Sequence, residues 1–127
     1  MSPEQQIHQA QRSIHHADLM LGEAAQLDDV AIQLMSVQRY WNTPSRDARL
    51  NAALAASRTV WQGIQNELAK GSLVLPLEAQ HNLLILSVYA DSKITVCESI
   101  PCEDTLSSLI ALTRTLAGSL KEWREAA

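Results

Sequence analysis

The residues best able to hold a metal are four histidines and two cysteines. His8, His15, His16 and His81 contain no pair four apart and no His-Glu-x-x-His, the spacing that sets two ligands on one helix face. His8 and His15 do share a face, and they read as a solvated surface. Cys97 and Cys102 are separated across Pro101 by more than the Cys-x-x-Cys of a redox or zinc site. They read as two small buried apolar side chains. No Gly-rich phosphate loop and no Gly-x-Ser-x-Gly elbow occurs. Ser57, Ser87 and Thr113 stand among apolar residues, as close-packing positions whose hydroxyls bond a helix carbonyl. No nucleophile, metal or cofactor constellation emerges, and the chain reads as a binding protein rather than an enzyme.

Anion chemistry has one candidate region. Between Gln38 and Arg58 lie Arg39, Arg46, Arg49 and Arg58 against Asp47 alone. Such a run is usually a solvated helix face, with an acidic partner as the alternative. The region is expected to present no aromatic surface for stacking bases. The whole chain carries a net charge of −4, which speaks against a general nucleic-acid binder.

These residues need a frame. The 127 residues suit one domain, and 46% apolar residues suffice for one core. Four Gly and four Pro are too few for a strand-and-turn architecture. Helical spacing then predicts about five helices in a single domain over residues 1–127. The first starts at Ser2-Pro3-Glu4, carries Ile7, Ala10, Ile14, Ala17 and Leu21, and ends at Gly22. The second carries Leu27, Val30, Ala31, Leu34 and Trp41, with Asp28 and Asp29 near its start. Thr43-Pro44 breaks it. The third runs from about Ser45 to Lys70 with a seam of Leu50, Leu54, Ser57, Trp61, Ile64 and Leu68, and Gly71 closes it. The fourth follows Leu75-Pro76. The fifth follows Pro101 and carries Leu106, Leu109, Ile110, Thr113, Leu116, Ala117, Leu120 and Trp123.

The fourth helix is apolar almost all round from Leu83 to Ala90, so it is expected at the centre of an all-α bundle, buried on several sides. Its Leu83, Leu84, Leu86 and Val88 are expected to meet Leu54, Trp61, Ile64, Leu109 and Leu116. That apolar run falls far short of a membrane span of roughly 20 residues. The N-terminus lacks the basic flank and apolar block of a signal peptide, and the two cysteines suit a reducing compartment. A cytoplasmic protein is expected.

Three stretches belong together: Leu50-x-x-x-Leu54-x-x-Ser57-Arg58-x-x-Trp61, then Leu75-Pro76-x-Glu78-x-x-x-Asn82-Leu83-Leu84-x-Leu86-Ser87-x-Tyr89, then Leu106-x-x-Leu109-Ile110-x-Leu112-x-Arg114-x-Leu116-Ala117-x-x-Leu120. In this order and at these separations the chain resembles the flagellar FlaF family of alphaproteobacteria, over about Leu27 to Leu120. Where the family pattern has Asn before Arg, this chain has Ser57 and Thr113. Where the pattern has Phe, it has Tyr89, and the late Gly is displaced to Gly118. The resemblance implies a cytoplasmic regulator of flagellin synthesis, acting with a companion regulator, FlbT, and binding flagellin before export as a chaperone. An RNA-binding regulator acting on flagellin messenger RNA is the alternative. No cofactor is implied.

Partner binding is assigned to two sets of residues. Ile7, Ile14, Leu19, Met20 and Leu21 belong to the first helix, whose thin stripe buries little area and makes it the element most easily displaced. Arg58 and Arg114 each follow a small inward-facing polar residue, which sets their guanidinium groups at the surface to meet acidic groups on a neighbouring helix or a partner.

Overall fold

The computed structural model describes residues 22–73 and 75–126. Among them are four helices and no strand: α1 (22–39), α2 (Arg46–Lys70), α3 (Leu77–Ser99) and α4 (Glu103–Ala126). The class is all-α, as the spacing predicts. The count of about five is corrected to four among the described residues, and the first expected helix lies outside them. Gly22 does not end a helix; it is itself helical. Glu23, Ala24 and Ala25 follow it, good helix formers that outweigh the modest cost of one Gly. Asp28 and Asp29 accordingly lie inside α1 rather than near its start.

The breaks follow backbone chemistry. Helix α1 stops before Tyr40, where Thr43 turns its hydroxyl back onto the Tyr40 carbonyl at 2.8 Å. Trp41 therefore falls in the turn and is only half-buried. Helix α2 ends at Gly71, whose φ of 71° is left-handed backbone that Gly enters without a Cβ clash. There the Gly71 N–H donates to the Leu68 carbonyl and the Ser72 N–H to that of Glu67, satisfying the last carbonyls of the helix. Pro76 and Pro101 stand at the two later corners, where a missing N–H costs nothing.

The helices run alternately up and down. Gln65 on α2 donates to Ser87 on α3 at 3.1 Å, and Arg58 reaches Glu98, so early α2 meets late α3. Lys121 on α4 donates to Asp28 on α1 at 2.6 Å, and Gln38 donates to Ser107, so α1 and α4 are antiparallel too. Helix α3 packs against both α2 and α4, whose backbones do not approach each other. The ring is closed by α1, which meets α4 through those bonds and α2 along Val37, Ala52 and Ala53. In such a ring α1 and α3 stand opposite one another.

The core is the inside of the ring. The seam expected on α2 is there: Leu50, Leu54, Ser57, Trp61 and Ile64 are buried, and Leu68 packs on them partly. Leu27, Val30, Leu34, Leu83, Ile94, Leu106, Leu109, Leu116 and Leu120 complete it.

One expectation fails on α3. Leu83 is buried, but Leu84 and Val88 are exposed and Leu86 is only partly covered. The buried positions are Ala79, Leu83, Ser87, Ala90, Ile94 and Cys97, a single stripe at helical spacing. Helix α3 is flanked on two sides, as a central helix would be. Its third side is open, because a ring of four leaves every helix one outward face.

Candidate functional site

That outward face of α3 is apolar. Leu77, Leu84, Ile85, Val88, Tyr89 and Val96 are all exposed, Leu77 by 82% and Val88 and Tyr89 by 59% each. Steps of seven, one, three, one and seven along the helix keep them on one side. Solvent gains nothing from six such side chains in one stripe, and a contiguous exposed apolar patch usually marks an interaction site. The sequence signal was present in the all-round apolar pattern, which was read as burial.

Arg58 borders this face. Its Nη2 donates to Thr95 Oγ1 at 3.0 Å, its Nη1 pairs with Glu98, and its Nε lies 3.7 Å from Asp91 Oδ1. Asp91 and Thr95 follow Leu84 and Val88 by two helical turns, on the α2 side of the stripe. The guanidinium thus ties α2 to α3 along one edge of the apolar face. Of the two roles open to it from sequence, contact with a neighbouring helix is the one the geometry displays.

Arg114 stands at the equivalent turn of α4, directly after Thr113 as Arg58 follows Ser57. It is exposed. Ser107, Arg114 and Lys121 recur at seven-residue steps, and the outer two bond α1, so Arg114 lies between them on the α1 side of α4. Ile7, Ile14, Leu19, Met20 and Leu21 lie outside the described residues, as do His8, His15 and His16.

The hydroxyl expectations divide. Thr113 Oγ1 donates to the Leu109 carbonyl at 2.7 Å and Ser87 Oγ to that of Leu84 at 2.7 Å. Ser57 Oγ is buried with no hydrogen-bond partner in the protein, and so is Trp61 Nε1 one turn on. The reading of Ser57 as a back-bonded hydroxyl is therefore corrected. Trp61 fills the centre of α2's buried face, and its bulk beside Ser57 accounts for the close fit of a small residue there.

The arginine region also differs from expectation. Its aromatic surface is real. Arg39 and Arg49 lie over the Tyr40 ring at 5.7 and 5.6 Å from its centroid, and Arg46 lies over Trp41 at 4.6 Å. Such stacking holds a guanidinium in place while leaving its edge N–H groups to bond.

Cys97 is buried and Cys102 is half-buried; both are free thiols. Burial pushes the Cys97 thiol up. Cys102 sits at the head of α4, where the Thr105 and Asp104 backbone N–H groups hold its thiol below the usual range, as a helix N-terminus does. Among the described residues no three of His, Cys, Asp and Glu come together as a metal site. Likewise no described helix is long and apolar enough to cross a membrane.

What the described geometry offers is faces. Residues 5–120 match the family model for flagellar protein FlaF. The chain belongs to the FlaF family. The match begins well before Leu27, so the FlaF relationship takes in most of the first expected helix as well as the three stretches quoted above. A search of the curated proteins and one of the solved structures returned no match. Within this FlaF chain the second stretch serves two surfaces: Leu83 and Ser87 face inward, while Leu84 and Tyr89 face out.

Proposed function

We propose that this FlaF-family protein is a cytoplasmic regulator of flagellin synthesis that binds flagellin before export, through the outward face of α3. The carrying observation is that face itself: six exposed apolar side chains at helical spacing, on a helix already anchored on both flanks. A rigid apolar helix face fits the apolar stripe of an amphipathic helix in a partner. Membership of a flagellar family directs the choice of partner to flagellin. The companion regulator FlbT is the second partner in this reading.

Titration calorimetry of the purified chain with monomeric flagellin tests this. Val88→Glu is expected to weaken binding about tenfold or more and to leave the melting temperature unchanged, because Val88 contributes little to the core. Unchanged affinity in both Val88→Glu and Leu84→Glu would remove α3 as the site. Absence of binding by the parent chain would remove flagellin as the partner.

A further inference from the structure

The opposite side of the ring carries a second apolar face, and its charge is different. On α1, Ile32 is 65% and Met35 41% exposed, less than one turn apart. A depression runs from these two past Ser36 to Arg39 and Tyr40. A second depression shares Ile32 and Ser36 and continues into the seam with α2, where Ala52 and Arg49 line it. Together they form one shallow groove along α1, with an aliphatic floor and an arginine-bearing end.

The rim is unpaired. Arg46, Arg58 and Lys121 each have a carboxylate partner. Arg39, Arg49 and Arg114 have none among the described residues. Two of the three are stacked against Tyr40, and Arg114 lies on the α1 side of α4. A chain of net charge −4 thus has two guanidinium groups, Arg39 and Arg49, lining this apolar groove with no ion-pair partner among the described residues.

We propose that this groove docks an acidic amphipathic helix of a partner protein, at a site separate from the α3 face. Its apolar side chains would sit on Ile32 and Met35. Carboxylates along its edges would meet Arg39 and Arg49, each presenting paired N–H donors that match a carboxylate. Stacking on Tyr40 orders both of these side chains before the partner arrives, which lowers the entropy cost of binding. RNA is the poorer match. A floor of Ile and Met suits an aliphatic side chain, and two guanidinium groups already face the Tyr40 ring, whereas single-stranded RNA asks for open rings on which bases stack. Since α1 and α3 stand opposite each other, the site does not depend on the flagellin reading.

The test uses the full chain with methyl-labelled Ile and Met, titrated in an NMR tube. Two synthetic helical peptides share one apolar stripe, flanked by Glu in one and by Lys in the other. The Glu peptide is expected to shift the Ile32 and Met35 methyl signals and to bind about tenfold or more tightly than the Lys peptide. An R39E/R49E double variant is expected to reverse that preference. Equal affinity for the two peptides, or shifts confined to Ile85 on α3, would overturn the proposal. So would oligouridine binding more tightly than the Glu peptide in the parent chain with loss in R39E/R49E. Val88→Glu, on the far side, is expected to leave Glu-peptide binding as it was, and a loss there would also overturn the separate site.

Discussion

Glu23 is the one carboxylate in α1 that faces the wrong environment. Its Oε2 is buried without a hydrogen-bond partner in the protein. Burial first, and then the charge of Glu67, push its carboxyl above the usual range. A carboxyl raised in the folded state binds protons more tightly there than in the unfolded chain. Stability from this group is therefore highest at low pH and falls as pH rises from the ordinary value of 4.5 through the raised one. Glu23→Gln removes the penalty. It is expected to melt higher than the parent at pH 7 and to lose that advantage near about pH 4, as paired thermal melts would show. An equal gap at both pH values would show that the charge is not the cause. Arg58 and Arg114 illustrate a related point at the same scale. They occupy equivalent turns and follow equivalent small residues, yet one is spent on Asp91, Thr95 and Glu98 while the other has no ion-pair partner among the described residues. Residue type set the surface location of both; the neighbouring helix decided what each does.

At the scale of the element, α3 has two faces of similar composition and opposite roles. Leu83 is fully buried among the ring helices, and Val88 looks outward. Leu83→Ala is expected to cost about 2–5 kcal/mol, the usual range for emptying a packed Leu site. Val88→Ala should stay within about 0.5 kcal/mol, as surface changes do. Urea melts of the two variants measure the contrast directly. The breaks at Thr43-Pro44, Gly71 and Pro101, the seam of α2 and the stripe of α4 were all legible in sequence, because each rests on local backbone chemistry or on one clean period. The open face of α3 was not. Periodicity reports that Leu84, Val88 and Tyr89 are apolar; it does not say that the other helices leave them exposed. The same ambiguity hid Ile32 and Met35, which lie off the stripe of α1 and look like scatter. Their meaning depends on Arg49, a residue of another helix that only the fold brings near.

For the whole molecule, the ring sets two exposed apolar faces on opposite sides of the bundle. One side is apolar and framed by an internal ion-pair network at Arg58. The other is apolar and bordered by Arg39 and Arg49, which have no ion-pair partner among the described residues. The turns at 40–45 and 100–102 gather at the same end, because α1 and α3 both finish there. Cys102 stands at that end, half-buried and with its thiol held below the usual range by the helix N-terminus, while Cys97 is buried. The protein therefore carries its own attachment point for a spectroscopic label. A maleimide dye at neutral pH is expected to take Cys102 first and to reach Cys97 only on unfolding, which peptide mass mapping would verify. A reporter placed there needs no engineered residue, and it sits at the Tyr40 end of the bundle, where it can sense occupancy of the groove while the fold stays as nature wrote it.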